Sequence, residues 1–327
     1  MERELALEAV RVTEAAALAS APWVARGSKA EADDAATEAM RSMFRTLAIR
    51  GRVVIGEGEM DEAPMLYIGE QVGDGSGPEV DVAVDPLEGT TLVARGMNNA
   101  VSVLALAPKG QLLHAPDIYM EKLAVGAQLA GKLSLRDPLS VTARKAAEGL
   151  GKPLSELNVL LLDRPRHASM IAELRELGVR VRLLTDGDVF GAMMPCGAKT
   201  GVDLYVGSGG APEGVLAAAA LKCMGGEFQG RLLPENEEQR RRLGEMGISG
   251  ADDVLFMDDL VGTGDVIFAA TGVTPGDFLE GVQLLPGRRA STHSVVMRAA
   301  THTVRYIQTE HDLALKGMAS AVPSLGA

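Results

Sequence analysis

Val82-Ala83-Val84-Asp85-Pro86-Leu87-Glu88-Gly89-Thr90 opens as a β-run and ends in acid, proline and glycine. Pro86 fixes φ, Gly89 permits a sharp turn, and the spacing can aim Asp85, Glu88 and the Thr90 hydroxyl at one small volume. The alternative is a strand leading into a capped helix, with the acids placed there for the helix dipole. Two further segments repeat the pattern of strand, glycine and acid: Val53-Val54-Ile55-Gly56-Glu57-Gly58-Glu59 and Gly209-Gly210-Ala211-Pro212-Glu213-Gly214. In α/β sheets ligands bind at strand ends, so carboxylates leaving strands on one edge would converge there. Two carboxylates about 4 Å apart repel by roughly 4 kcal/mol at an effective dielectric near 20, so such a cluster calls for cations or raised pKa values. Hard oxygen ligands suit magnesium or manganese.

Outward from these segments, short β-rich runs recur at Arg52 to Ile55, Val80 to Val84, Ala100 to Ala107, Asn158 to Leu162, Val179 to Leu184, Val202 to Val206 and Val266 to Ala270. Apolar residues at helical spacing predict helices over Glu2 to Ser20, Glu31 to Ile49, His167 to Leu177, Gly214 to Met224 and Glu235 to Met246. Strands interleaved with helices predict an α/β fold with covered sheets. Turn clusters at Gly73 to Pro78 and Lys109 to Gln111 read as hairpin connections. A polar helical stretch near Arg136 to Pro153 suggests a boundary, dividing the chain into residues 1–145 and 146–327, packed as one unit.

The chain has 327 residues, room for one large or two intimately packed domains. Hydrophobic residues at 46% and charged residues at 23% exclude a disordered or fibrous chain. Aromatics are only 3%, while 38 glycines and 15 prolines supply turns, so the core is aliphatic. A net charge of −12 is the opposite of a nucleic-acid-binding footprint. Glu2, Glu4, Glu8 and Glu14 interrupt the apolar N-terminal pattern, which argues against an export signal. The longest uncharged apolar runs, such as Gly214 to Leu221, are well short of the ~20 residues that span a bilayer, so no membrane partner is expected and the cytoplasm is the default location.

Other chemistries fit less well. Gly56-Glu57-Gly58-Glu59-Met60-Asp61 follows a strand, but Asp61 stands where a dinucleotide fingerprint needs its third glycine. No G-x-x-x-x-G-K-[ST] loop, H-E-x-x-H pair or G-x-S-x-G elbow occurs. Cys196 and Cys223 are too few for a disulfide framework or a thiolate zinc site. Asp186-Gly187-Asp188 resembles the paired aspartates of haloacid-dehalogenase phosphatases, although its mid-chain position argues against that reading. Arg164-Pro165-Arg166 follows a strand and suits an anionic group, the alternative being a solvated loop. His167 beside it reads as structural.

Together these motifs resemble the class II fructose-1,6-bisphosphatases of bacteria, within the lithium-sensitive phosphatase superfamily that includes inositol monophosphatases. The resemblance also runs through Asp61-Glu62-Ala63-Pro64-Met65-Leu66-Tyr67-Ile68-Gly69-Glu70, Ala115-Pro116-Asp117, Tyr119-Met120-Glu121-Lys122-Leu123 and Pro165-Arg166-His167. It implies a layered αβαβα sandwich, assembled as a homodimer or homotetramer. It implies hydrolysis of the 1-phosphate of fructose 1,6-bisphosphate, with sedoheptulose 1,7-bisphosphate as a second substrate or another sugar or inositol phosphate as alternatives. Two or more Mg2+ or Mn2+ ions per site would be held by Asp33, Glu57, Asp85, the Leu87 carbonyl and Glu88 of a metal-binding N-terminal part, together with Glu213. Substrate contacts would come from Glu88, Gly89, Thr90, Tyr119, Arg164, Pro165, Arg166, Asp186, Gly187, Asp188 and Gly210, the later ones in a sugar-binding C-terminal part. Thr90, with Glu57 or Asp61, would orient or deprotonate the attacking water, and Lys29 would lie nearby. Asp34 follows Asp33 and Thr91 follows Thr90; motif register favours Asp33 and Thr90.

Overall fold

A computed structural model describes residues 4–58, 65–245, 248 and 253–316. Along the chain run α1 (Leu5–Ser20), α2 (Ala30–Phe44), β1 (Arg50–Ile55), β2 (Gln71–Val72), β3 (Glu79–Glu88), α3 (Thr90–Arg95) and β4 (Val101–Pro108). Next come β5 (Tyr119–Val125), α4 (Leu139–Leu150), β6 (Asn158–Leu162), α5 (Ala168–Glu176), β7 (Arg180–Leu184) and α6 (Asp188–Met193). They are followed by β8 (Leu204–Gly210), α7 (Ala211–Met224), β9 (Glu227–Leu233), α8 (Glu237–Glu245) and α9 (Met257–Val261). β10 (Ile267–Gly272), β11 (Gln283–Leu285), β12 (Arg289–Arg298) and β13 (Thr303–Asp312) complete the described elements.

The fold is mixed α/β, with two mixed sheets and helices packed against them, as a layered α/β sandwich requires. The chain forms two compact units. Among the described residues the first holds those up to Lys109, Ile267–Arg298 and those from Thr303; the second holds Gly110–Val266 and Ala299–His302. These bounds differ from the expected 145/146 boundary because β10 pairs with β4 and β12, which returns the late strands to the first sheet.

In the first unit an eight-stranded sheet has the order β11-β12-β10-β4-β3-β1-β2, with β13 on β12. β1 and β3 are parallel, whereas β3 and β4 are antiparallel. α1 packs on α2, β4, β10 and β12, burying Leu5, Val10, Val12 and Leu18. Each such side chain contributes about 1.5–3 kcal/mol on leaving water. A buried polar line also docks α1: Thr13 Oγ1 lies 2.8 Å from Thr271 Oγ1, which lies 2.8 Å from Ser294 Oγ. The expected helix to Ile49 stops at Phe44, where the Thr46 hydroxyl donates to the Met43 carbonyl at 2.8 Å and competes with the helical ladder.

The second unit has a five-stranded sheet of order β7-β6-β8-β5-β9. β6 runs parallel to β7 and to β8, and β5 is antiparallel to β8 and β9. Its core gathers Leu123, Val159, Leu161, Leu174 and Leu204. Neither expected hairpin forms. Gly73 to Pro78 joins β2 and β3, which flank β1 on opposite sides, and Lys109 to Gln111 is where the chain leaves the first unit.

Candidate active site

In the first unit the parallel pair β1 and β3 ends on one edge, which brings out Glu57 after β1 and Asp85 and Glu88 at the end of β3. The β3–β4 register shifts between Asp85 and Glu88, forming a bulge, and pairing with β1 stops at Ala83. Pro86 therefore lies beyond the β1 ladder and costs no hydrogen bond to it. The Asp85 Oδ1 accepts the Leu87 N–H at 3.1 Å. Leu87 and Glu88 are buried. Gly89 takes the left-handed conformation (φ 93°, ψ 47°), and this turn makes Thr90 the first residue of α3.

Asp33 sits in the first turn of α2, two turns before Arg41. Its carboxylate and that of Glu57 share a hydrogen bond. Burial, then the charge of Asp33, push Glu57 up to about 8, so at neutral pH Glu57 carries the proton and donates it to Asp33. Burial and the neighbouring Asp34 also raise Asp33. Lys29 caps α2 by backbone position, its side chain making no capping bond. Asp61 lies outside the described residues.

In the second unit the C-terminal ends of β6, β7 and β8 share one edge, and each is followed by a polar residue of the expected set. Arg164 follows β6 and Asp186 follows β7; Arg164 Nη2 donates to Asp186 Oδ1 at 3.0 Å and Nη1 donates to the Thr185 carbonyl at 2.5 Å. Pro165 opens the 3-10 turn Pro165–His167, which swings Arg166 back toward β8. There Arg166 donates to Ser208 Oγ at 3.0 Å and to the Ser208 carbonyl at 2.6 Å, and its guanidinium stacks 4.7 Å from the Tyr119 ring centroid. Tyr119 pairs with Gly210 across β5 and β8. His167 is structural: Nδ1 donates to the Leu162 carbonyl at 2.8 Å, and Nε2 accepts the Ser208 N–H at 2.8 Å. Burial holds His167 below its usual pKa, which fits this neutral tautomer.

Glu213 stands in the first turn of α7, folded back over Gly210. Gly210 has an ordinary φ of −63°, but a Cβ there would overlap the Glu213 carboxylate. Glu213 Oε2 is buried and has no hydrogen-bond partner among the described residues. Burial raises the pKa of Glu213, opposed by the charge of Lys122.

Three residues given no role in the sequence reading stand beside this edge. Lys122 is 1% exposed, and its Nζ donates to Asp188 Oδ2 at 2.5 Å. The hydroxyl of Tyr205, also buried, donates to the other Asp188 oxygen. Ser208 holds Arg166 and His167 as described above. A signal for Lys122 existed, since period-2 alternation puts it on the same strand face as Met120 and Ala124, both fully buried. Among the described residues no three acidic, His or Cys side chains form one ready metal cluster. The carboxylates occur instead as the Asp33–Glu57 pair, the Asp85 and Glu88 bulge, and Glu213.

Within each unit these donors are of a kind that fits a divalent cation. The oxygens are hard, a pair that shares a proton exchanges it for a metal, and the buried Oε2 of Glu213 lacks a partner among the described residues. Comparison with known proteins defines the class first: the chain is an enzyme, a phosphatase. A family model described as bacterial fructose-1,6-bisphosphatase, glpX-encoded, matches residues 3–311, and the chain belongs to that family. It is 49% identical over 326 residues, 96% of each chain, to fructose-1,6-bisphosphatase 1 class 2 of Escherichia coli strain K12. The same figures hold for the fructose-1,6-bisphosphatase class 2 of Shigella flexneri. The family implies dependence on divalent metal in general.

Proposed function

We propose that this protein hydrolyses the 1-phosphate of fructose 1,6-bisphosphate, releasing fructose 6-phosphate and phosphate, with two or more Mg2+ or Mn2+ ions per site. Asp33, Glu57, Asp85, the Leu87 carbonyl, Glu88 and Glu213 would hold the ions. Bound there, they would lower the pKa of a water and neutralise phosphoryl oxygens. Uncatalysed phosphate monoester hydrolysis is among the slowest of reactions, with enzymatic accelerations up to ~10²¹, so a multi-cation site is proportionate to the barrier.

The chain's own groups have distinct tasks in this reading. Thr90, with Glu57 or Asp61, orients or deprotonates the attacking water. Glu88, Gly89 and Thr90 meet the scissile phosphate. Arg164 and Arg166 bind the anionic end of the sugar, preorganised by Asp186 and Ser208. Tyr119 supplies an apolar face and Gly210 close backbone approach. Asp186, Gly187 and Asp188 meet sugar hydroxyls. The reading includes a homodimer or homotetramer, a cytoplasmic location and kinship with the inositol monophosphatases. Among the described residues no helix is long and apolar enough to cross a membrane.

The observation that carries the metal part is the hydrogen-bonded Asp33–Glu57 pair, a half-buried proton-sharing couple of the kind a divalent cation displaces. The test is phosphate release from fructose 1,6-bisphosphate with Mg2+ or Mn2+, run beside sedoheptulose 1,7-bisphosphate and inositol monophosphate, with Glu213→Ala as control. Metal-dependent release from the first substrate, lost in the control, is expected. No release from any substrate with either metal would overturn the proposal.

A further inference from the structure

Glu70 ends the sequence stretch Asp61 to Glu70, and unlike Asp61 it has no part in the proposed chemistry. It is only 5% exposed, and both its oxygens are engaged. Oε1 accepts from Arg41 Nε at 2.7 Å, and Oε2 accepts the backbone N–H of Leu66 at 2.5 Å. Leu66 is fully buried, with φ at +53°, a conformation that a leucine holds only when its surroundings impose it. The carbonyl of Leu66 in turn accepts the backbone N–H of Glu57 at 3.1 Å. Glu70 itself is fixed to β1, its carbonyl accepting the Val53 N–H at 2.9 Å while the Val53 carbonyl accepts the Gly69 N–H at 2.8 Å.

These contacts form one continuous line. Arg41 lies in the last turn of α2, the helix whose first turn carries Asp33. Through Glu70 and Leu66 the line reaches the backbone of Glu57. One buried carboxylate thus ties the helix bearing one member of the acid pair to the segment bearing the other. We propose that Glu70 and Arg41 are positioning residues that set the Asp33–Glu57 spacing for a divalent cation. This rests on the metal reading given above. Charged hydrogen bonds are the strong, directional ones, and groups that orient metal ligands typically alter metal affinity by roughly ten- to a hundredfold when removed.

The test uses the full-length, metal-free protein and Mn2+ alone, with binding measured by titration calorimetry and Glu57→Ala defining the binding that depends on the acid pair. Glu70→Gln and Arg41→Met are each expected to weaken that binding at least tenfold. The Mn2+ concentration for half-maximal phosphate release should rise in proportion, while KM for fructose 1,6-bisphosphate at saturating Mn2+ stays within twofold. Arg41→Lys, which keeps the charge, should recover part of the loss. Arg41 is partly exposed, so its variants should fold even if Glu70→Gln does not. Mn2+ binding within twofold of wild type in Arg41→Met or a folded Glu70→Gln, with only a lower Tm, would overturn the proposal alone. Undiminished Mn2+ binding in Glu57→Ala would overturn the metal reading and the proposal with it.

Discussion

Lys122 and Asp188 form an ion pair of 2.5 Å inside the second unit, with the lysine side chain fully buried and the aspartate side chain 10% exposed. Asp188 follows the left-handed Gly187 as the first residue of α6. Its two oxygens are taken by Lys122 and Tyr205, so the pair also anchors the turn that bears Asp186. Removing one partner of a buried pair leaves an uncompensated charge. Lys122→Met is therefore expected to destabilise the protein by about 3–5 kcal/mol. Tyr205→Phe, which keeps the ring and loses one donor, should cost about 1–3 kcal/mol. Urea unfolding of the two variants checks this, and an unchanged midpoint for Lys122→Met would refute it.

Glu57 makes the metal-free protein sensitive to pH. A carboxyl raised from 4.5 to about 8 binds its proton more tightly folded than unfolded. The stability it confers is full below pH 4.5 and is lost as pH rises toward 8. In chelator, the urea midpoint of wild type should fall across that window more steeply than that of Glu57→Gln. Equal slopes for the two proteins would count against the shared proton. A cation binding this pair displaces the proton, so its affinity should rise with pH over the same range.

Gly210→Ala separates backbone strain from a steric clash. With φ at −63° the backbone accepts alanine, but the new Cβ would meet the Glu213 carboxylate. Displacing a reacting group by about 1 Å costs on the order of a hundredfold in rate. The variant should fold with a near-normal Tm yet lose roughly that much metal-dependent phosphate release. Full activity would show that Glu213 has no need of its present position.

Arg166→Lys tests recognition of the substrate. Lysine keeps the charge but loses the planar fork that meets Ser208 twice and the stacking on Tyr119. KM for the bisphosphate is expected to rise about tenfold with kcat changed less, since an exposed to partly desolvated stack of this kind is worth about 0.5–2 kcal/mol. Steady-state kinetics decide it, and a lower kcat at constant KM would assign Arg166 to the chemical step instead.

Several strands escaped the sequence reading for identifiable reasons. β5 holds Glu121 and Lys122, charges that disguise an interior strand lying between β8 and β9. In β12 the polar residues Ser291, Thr292 and Ser294 are buried, so no apolar alternation marks a face. β13 is exposed over most of its length and, among the described residues, pairs with β12 alone. By contrast β6 has the residues read from sequence, because Asn158 to Leu162 is a short apolar run buried in a parallel sheet.

By itself the sequence determined the α/β class and the acids at the strand ends. Both reside in contiguous residues, where steric limits on φ and side-chain periodicity act within a few positions. Only the tertiary structure decided which groups meet: Asp33 with Glu57, Arg41 with Glu70, and Lys122 with Asp188 across 66 residues. Those meetings depend on sheet register and helix packing between distant segments. Burial then raises the pKa of both acids of the Asp33–Glu57 pair, and no local pattern encodes it.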